Sequence, residues 1–431
     1  MTFPLLETRS AAPRPTLAPA LVPGAVTEPL ALYVHIPFCV RKCHYCDFAS
    51  GPAPEAIRAQ YVDALVREIH ESPWRGRAAR TVFFGGGTPS ELDTPSLARI
   101  AAALKESFRF ESPDPWRERI PDPIPGSAFS HPPSEPPPLT EAEWTIECNP
   151  GTISLESLTA MREMGFNRIS LGVQTFDDRR LQLLGRIHSS DQAAEGVQLA
   201  RTAGFRRLNL DLIFCLPDQT LFEWQRDVEL ALELQPEHLS LYNLTIEEET
   251  EFGRRHRMGE MACPDEDLSA DMFEWCMDRL AGLGWTQYEV SNFALPGEEC
   301  RHNQIYWTQE PYIGFGLGAA SYADGMRWTS DRSMQRYLAS AGRGFPAARQ
   351  SEERLPERDA CGEAMMLRLR TRDGADAAEM ARRYGLDPME LFATTLDELE
   401  SDGLLVRRGS RAVLTRRGLM VANGVCARFL P

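Results

Sequence analysis

Three closely spaced cysteines, Cys39, Cys43 and Cys46, are the residues of this sequence best suited to chemistry. They lie in the run PFCVRKCHYCDF, so one short loop can offer three thiolates to a single inorganic centre. Iron-sulfur clusters normally use four cysteines, and a cluster held by three leaves one iron open to a substrate or cofactor. A zinc site completed by His35 or His44 is the alternative, because zinc accepts three thiolates and an imidazole. The spacing alone does not distinguish the two metals.

The composition is that of a globular protein with two or three domains. Of its 431 residues 43% are hydrophobic, and the formal net charge is -16. Because nucleic-acid binding depends on positive charge, we expect no nucleic-acid partner. The other seven of the ten cysteines are scattered, which favours a reducing compartment. No apolar stretch is long enough to span a bilayer and no secretory signal precedes the cysteines, so we expect a cytoplasmic protein.

Short apolar runs alternate with amphipathic segments between residues 29 and 250, a pattern typical of parallel strands joined by crossover helices. The predicted strands are 30–38, 81–86, 143–150, 168–174, 207–217 and 238–245. The predicted helices are 56–71, 96–108, 155–165, 191–204 and 221–234. Six such units predict an α/β fold with an incomplete (β/α)6 barrel, although a doubly wound sheet has the same local pattern.

The rest of the chain is predicted to form four further segments. Residues 1–28 predict a disordered tail, and a proline-rich stretch at about 111–140 predicts an insertion, with a proline-rich docking ligand as the alternative. Residues 251–356 predict a cap or connecting region on the barrel. Residues 357–431 predict an α+β winged-helix-like module of three helices, a hairpin and a last helix.

The hairpin of this module is rich in arginine. Nucleic acid could contact these side chains, but acidic and basic residues cancel over 357–431, which favours a solvated hairpin. The arginines are Arg407, Arg408, Arg411, Arg416 and Arg417.

Polar residues gather near the carboxyl ends of the predicted strands, where parallel folds of this kind bind ligands. The second strand ends in three glycines and Thr88, which leave backbone groups open to a ligand. Arg186, after the fourth strand, could pair with a carboxylate or lie on the surface. Tyr33 on the first strand could face the barrel interior or pack there. The other polar residues near strand ends are Glu147, Asn149, Gln174, Asp211, Tyr242, Asn243 and Thr245.

Six motifs in a fixed order resemble the radical S-adenosylmethionine superfamily, within it the branch of the oxygen-independent coproporphyrinogen III dehydrogenases and the HemW heme chaperones. They are LYVHIPFCVRKCHYCDF, FFGGGTPS, ECNPG, ISLGVQTF, LLGRIH and LDLIFCLP. The resemblance extends from about residue 30 to the C-terminus. It implies a [4Fe-4S] cluster on the three cysteines, and it disfavours zinc. The free iron would bind S-adenosylmethionine, and an electron from the cluster would cleave this cofactor to a 5'-deoxyadenosyl radical.

The resemblance also implies which residues contact the cofactor. One S-adenosylmethionine would contact Tyr33, Gly86 and Glu147. A second one, held in the dehydrogenase, would contact the residues at seven other positions, and whether it binds here is left open. These positions are Tyr45, Gly87, Thr88, Gln174, Arg186, Asp211 and Thr245.

Within the branch, the sequence is more similar to HemW than to the dehydrogenase. Phe48 stands where the dehydrogenase motif usually has another cysteine, and the N-terminal segment is short and proline-rich. The run HNQIYW at 302–307 matches the HNxxYW pattern of HemW. The resemblance makes His302 a candidate axial ligand for heme, with a structural histidine in a packed turn as the alternative.

The implied function is a heme chaperone that binds the cluster, S-adenosylmethionine and heme. Its implied partners are heme and an acceptor protein, with membrane respiratory enzymes as candidates and peripheral contact with the membrane. The dehydrogenase itself is the first alternative function, and a zinc-stapled nucleic-acid-binding scaffold is the second. The sequence leaves catalysis open and identifies no catalytic residue.

Overall fold

A computed structural model describes residues 28–110, 142–262, 265–345 and 349–431. The predicted N-terminal tail, apart from its last residue, and the predicted proline-rich insertion lie outside these ranges. The described chain forms one large mixed sheet flanked by helices, together with a smaller C-terminal module.

Six parallel strands form the centre of the large sheet, side by side in chain order. With the short β3 that pairs beside β2, they are β1 (Leu30–Ile36), β2 (Ala78–Gly86), β3 (Arg109–Phe110), β4 (Glu143–Cys148), β5 (Arg168–Gln174), β6 (Arg207–Phe214) and β7 (His238–Asn243). The helices between them are α1 (Glu55–His70), α2 (Thr94–Ser107), α3 (Leu155–Glu163), α4 (Asp178–Leu183), α5 (Ser190–Thr202) and α6 (Leu221–Glu233). The predicted strands and helices are therefore confirmed.

The next segment extends the sheet at both edges. Its elements are α7 (Glu251–Arg257), α8 (Glu266–Ala281), β8 (Thr286–Gln287), β9 (Asn292–Ala294), α9 (Arg301–Trp307), β10 (Tyr312–Phe315), β11 (Ala320–Ala323), β12 (Met326–Ser330), α10 (Met334–Ser340) and β13 (Arg349–Arg354). β10 pairs in parallel with β1, and β11 to β13 follow it antiparallel. β9 pairs antiparallel with β7 and β8.

The large sheet is unclosed, because no pairing among the described residues joins its edge strands β8 and β13. The incomplete barrel is thus confirmed. The segment predicted as a cap supplies extra strands to the barrel sheet, and the predicted domain boundaries stay a prediction.

The C-terminal module packs six helices around a three-stranded sheet in the order β14, β16, β15. Its elements are α11 (Glu357–Arg368), β14 (Ala375–Asp376), α12 (Ala377–Tyr384), α13 (Pro388–Leu391), α14 (Ala393–Ser401), β15 (Leu405–Arg408), β16 (Arg411–Leu414), α15 (Arg416–Met420) and α16 (Ala422–Ala427). Four of the five arginines predicted at the hairpin form hydrogen bonds with acidic side chains or a carbonyl of the same chain. Their partners are Asp397 and Glu400 for Arg407, Asp376 for Arg411, Asp278 for Arg416, and the Asp402 carbonyl for Arg417.

Alternate residues of the parallel strands face two different environments, as the pleat of a strand requires. In β5, Ile169, Leu171 and Val173 are fully buried in the hydrophobic core. Ser170 and Gly172, between them, line a cavity inside the barrel. Burial of the apolar face stabilises the sheet. The other face can therefore carry the polar side chains of a binding site. Among the helices that the structure describes, none is long and apolar enough to cross a membrane.

Candidate functional site

A cavity of about 290 Å³ lies at the carboxyl ends of the parallel strands. Every predicted site residue except Tyr33 and His302 lines it. These residues are Cys39, Cys43, Tyr45, Cys46, Gly86, Gly87, Thr88, Glu147, Gln174, Arg186, Asp211 and Thr245. They come from the loops or ends of six different strands, so the fold assembles them from across the sequence.

The cysteine loop is closed at its base and supported from the side. The Cys39 N–H donates to the Gly51 carbonyl at 3.2 Å, which joins the two ends of the loop. The His44 N–H donates to the Leu184 carbonyl at 2.9 Å, and the His44 carbonyl accepts from the Phe252 N–H at 2.8 Å. These backbone bonds hold the loop against α4 and α7 without using the sulfur atoms.

The glycine run after β2 lies directly against the start of this loop. The Thr88 N–H donates to the Phe38 carbonyl at 2.7 Å. A Cβ atom at Gly87 would lie 2.6 Å from the same carbonyl oxygen, and Gly86 has φ +112° and faces the His35 ring. Larger residues would therefore push the run and the cysteine loop apart.

Two polar side chains contact the sulfur atoms. The Thr88 hydroxyl donates to Cys39 Sγ at 3.7 Å, and Arg186 Nη1 donates to Cys43 Sγ at 3.5 Å. Arg186 Nη2 also donates to the Gly172 carbonyl at 2.5 Å, which holds the guanidinium in place. Burial raises the pKa of Cys39, whereas the Thr88 hydrogen bond lowers it. Such donors favour a thiolate over a thiol, and the thiolate is the form that binds iron.

The donor set fits a cluster better than a zinc ion. A structural zinc site needs four ligands around one ion, and among the described residues no three His, Cys, Asp or Glu side chains are grouped so that they could hold a single metal ion. Both candidates for the fourth zinc ligand are already engaged. His35 bonds the Tyr33 hydroxyl and the Ala49 carbonyl at 3.0 and 3.1 Å. His44 Nδ1 bonds the Leu183 carbonyl at 2.8 Å, and its Nε2 atom accepts from Arg41 Nη2 at 3.3 Å. A cluster binds each thiolate at a different iron, so its ligands need not converge.

Two partly buried carboxylates lie in the same cavity. Glu147 Oε2 accepts from the Gly86 N–H at 3.1 Å, and Asp211 accepts from the Ser170 hydroxyl and the Asn209 amide at 2.9 and 2.8 Å. Burial, with the Asp211 charge, raises the pKa of Glu147 to about 8. Burial also raises the pKa of Asp211. A cationic ligand would favour the ionised form of both acids, because opposite charge offsets the cost of burial.

The end of β5 is distorted where it reaches the cavity. Gln174 has φ 72°, a left-handed conformation that is unfavourable for a residue with a side chain. The pairing of β5 with β6 shifts between Gly172 and Gln174. Bulges and strained residues of this kind concentrate at functional sites, where they aim a side chain.

Tyr33 and His302 lie deeper in the barrel, outside the cavity wall. The Tyr33 hydroxyl bonds His35. His302 is fully buried, and its Nδ1 and Nε2 atoms bond the hydroxyls of Thr81 and Tyr306 at 2.9 and 2.8 Å. Burial lowers the pKa of His302 to about 3, so the ring is neutral. In this conformation both ring nitrogens are occupied, as in a structural histidine, and neither is free for heme iron.

The sequence reasoning missed several residues of the cavity. Ser170 supports Asp211, and a fourth cysteine, Cys148, lines the cavity at the end of β4. Strand alternation could have identified Ser170 from the sequence, because it lies two residues before Gly172 and therefore faces the same side of the sheet. The apolar Val40 and Ile187, which also line the cavity, lie in loops and carry no such periodic signal.

Comparison with known proteins places the chain among relatives of similar length. Residues 33–231 match the Radical SAM superfamily, and residues 355–421 match the HemN C-terminal domain. The chain is 35% identical over 403 residues to the heme chaperone HemW of Lactococcus lactis, covering 94% of this chain and 98% of that protein. Heme chaperone HemW of Escherichia coli is 35% identical over 412 residues, covering 93% and 98%.

A solved structure has the same architecture. It is described as coproporphyrinogen III oxidase (HemN) from Escherichia coli, a radical SAM enzyme. It superposes with a TM-score of 0.75 and 25% sequence identity, covering 93% of this chain and 90% of that chain. The match extends over the barrel and the C-terminal module together.

Proposed function

Because this chain belongs to the HemW family of the radical S-adenosylmethionine superfamily, we propose that it is a heme chaperone that delivers heme to an acceptor protein. The observation that carries this proposal is the similarity, over nearly the full length, to relatives named heme chaperone HemW. The proposed cofactors are a [4Fe-4S] cluster and S-adenosylmethionine, with heme as the cargo.

Cys39, Cys43 and Cys46 would hold the cluster, since their thiols lie on one loop and line one cavity. When bound, the cluster supplies the electron that cleaves the sulfonium bond of S-adenosylmethionine. Arg186 would stabilise the negative charge on the Cys43 sulfur. The backbone bonds at the base and side of the loop would keep the thiols in place before loading.

Glu147 and Gly86 would bind the S-adenosylmethionine beside the cluster. Glu147 can accept hydrogen bonds from an ammonium group, and it already accepts one from the Gly86 N–H. The absence of a side chain at Gly86 lets the glycine run pack against the His35 ring at the edge of the cavity. Tyr33 would support the site indirectly, because its hydroxyl bonds the His35 ring that packs against Gly86. The second S-adenosylmethionine site that the resemblance implies would use residues that all line the cavity, namely Tyr45, Gly87, Thr88, Gln174, Arg186, Asp211 and Thr245.

The proposed acceptor is a heme protein, with membrane respiratory enzymes as the class to test first. The protein would then contact the membrane only peripherally, either through the acceptor or through its own surface. The proposed compartment is the cytoplasm, including its membrane face.

Heme titration of the anaerobically reconstituted protein tests this function. We expect a saturable change in the heme absorbance band and transfer of bound heme to an added apo-acceptor, for which apomyoglobin serves as a probe. A protein that holds its cluster and S-adenosylmethionine but takes up no heme would contradict the proposal.

The dehydrogenase is a second candidate, and the structural match to coproporphyrinogen III oxidase favours it. Phe48 weighs against it, because it occupies the place of the further cysteine in the dehydrogenase motif and lies half-exposed at the cavity. An anaerobic assay with reductant, S-adenosylmethionine and coproporphyrinogen III separates the two functions. We expect no decarboxylated product, and formation of vinyl groups would establish the enzyme.

A further inference from the structure

The cavity has an apolar rim that is open to solvent. Val40 and Phe48 are each 51% exposed, and Ile187 is 37% exposed. All three line the cavity that contains the three cysteines. Val40 and Phe48 belong to the cysteine loop itself, whereas Ile187 follows Arg186. A large apolar side chain gains nothing from exposure, so three of them around one opening point to a ligand.

The remaining exposed apolar side chains of the described chain do not form such a group. They are Leu155, Phe222, Met258, Leu283 and Val421, each in a different part of the fold. Single exposed apolar residues are ordinary on protein surfaces. The rim is therefore unusual because of its clustering.

Two cations lie beside the apolar rim. Arg41 and Lys42 are exposed and line the same cavity. Lys42 Nζ donates to the backbone carbonyl of Phe48 at 3.1 Å, so the charge is held beside the backbone of a rim residue. Glu91 on the cavity wall is paired with Arg58 at 3.7 Å, which reduces its repulsion of an anion. In a chain of net charge -16, which has only two lysines, this combination is suited to an apolar anion.

We propose that this rim, defined by Val40, Phe48 and Ile187 with the cations Arg41 and Lys42, is the heme-binding surface. The inference rests on the proposed function. Heme is a flat apolar disc with two carboxylates, so its face would pack on the apolar side chains and its propionates would pair with the cations. It is too wide to enter a cavity of about 290 Å³ beside a nucleotide-sized cofactor, so it would lie across the opening.

The first test removes the apolar contacts. We expect the double variant Val40→Ala, Phe48→Ala to bind hemin at least about tenfold more weakly than the parent, because two large apolar contacts are lost. Phe222→Ala is the matched control, since Phe222 is 73% exposed but lies on α6 away from the cavity. Iron and sulfide content and S-adenosylmethionine binding, measured on the same samples, report that the loop is intact.

The second test addresses the propionates and uses the parent protein as well as variants. We expect the parent to bind hemin about tenfold more tightly than hemin dimethyl ester, which lacks both carboxylate charges. The variant Arg41→Ala, Lys42→Ala should lose most of this preference. Lys105→Ala, which removes the only other lysine and lies on α2, should keep it.

The outcomes separate this inference from the function on which it rests. A parent protein that binds no hemin contradicts the heme-chaperone function itself. A parent that binds hemin, with unchanged affinity in both rim variants or no preference over the dimethyl ester, overturns only the assignment to the rim.

Discussion

At the scale of single residues, four cysteines line the cavity but only three lie on one loop. Cys148, at the end of β4, is 4% exposed, and burial raises its pKa to about 12. Burial also raises the pKa of Cys39 and Cys46. Position therefore distinguishes the four thiols, because three lie on one loop whereas Cys148 lies at the end of a strand.

We expect Cys39→Ala, Cys43→Ala and Cys46→Ala each to lose the cluster, because three ligands leave no spare. Cys148→Ala is the matched control and should retain it. Iron and sulfide content and the visible absorbance of anaerobically reconstituted protein measure the outcome. A full cluster in any loop variant, or its loss in Cys148→Ala, would contradict the three-cysteine assignment.

A second residue, Glu143, is an anion at the start of β4, at the end of the strand opposite to the cavity. It is fully buried and lies 3.0 Å from Arg207 Nη1. Burial has the largest single effect and raises its pKa, but the combined charges of Arg207, Arg168 and Arg301 outweigh it and lower the pKa to about 2. The carboxylate is therefore charged at neutral pH and balances buried guanidinium groups.

Glu143→Ala should lower the free energy of unfolding by about 3–5 kcal/mol, because it removes the fully buried partner of Arg207 and leaves this buried cation with Glu298 alone. Urea denaturation of the full chain measures this change. The control is Asp63→Ala, which breaks an ion pair with Arg99 whose two side chains are more than half exposed, and it should have little effect. Equal effects of the two substitutions would show that burial does not set the strength of the Glu143 pair.

At the scale of elements, the sequence predicted the strands and helices whose positions depend on local residue patterns. The central strands and their helices lie where apolar runs and helical periodicity indicated, because their partners are neighbours in the chain. β10 pairs with β1 although nearly three hundred residues separate them, and such a pairing has no local signature. Depth within the barrel was equally hidden from the sequence: neither Tyr33, a predicted cofactor contact, nor His302, a predicted candidate ligand for heme, lines the cavity.

A buried glutamate, Glu68, connects helix α1 to the segment that follows β10 and to helix α10. Glu68 on α1 accepts from the Gly316 N–H at 2.9 Å and from the Tyr337 hydroxyl of α10 at 2.6 Å. The carboxyl is buried, and burial raises its pKa to about 7 in spite of these two donors. A carboxyl with a raised folded pKa stabilises the protein below its unfolded pKa of about 4.5, and this stability is lost as the pH rises through 7.

The parent should therefore lose up to about 3 kcal/mol of unfolding free energy relative to Glu68→Gln between pH 5 and pH 8. The glutamine keeps an oxygen acceptor for both donors but does not ionise. Denaturation of both proteins at the two pH values measures the difference. Glu55→Gln, at the exposed first turn of the same helix, should follow the parent at both pH values. Parallel curves for Glu68→Gln and the parent would show that Glu68 does not titrate in this range.

At the scale of the whole molecule, the C-terminal module is joined to the barrel by buried polar contacts. Glu363 on α11 accepts from Arg327 of β12 at 2.5 Å and from the Gln309 amide at 3.0 Å. Backbone bonds add a second connection, from the Val290 N–H to the Arg370 carbonyl at 3.1 Å. The order of helices and hairpin indicated the module, but neither charge nor periodicity indicated which face of the barrel it would meet.

If these contacts make the module and the barrel one cooperative unit, breaking them should affect both sides. We expect Glu363→Ala to lower the free energy of unfolding by about 1.5–3 kcal/mol, the range for a hydrogen bond to a charged group. Amide hydrogen exchange should then accelerate in β12 as well as in α11. Glu353→Ala removes the other carboxylate of Arg327, which lies on β13 at 2.6 Å, and should leave α11 protected. Faster exchange confined to α11 in Glu363→Ala would instead mean that the module opens independently of the barrel.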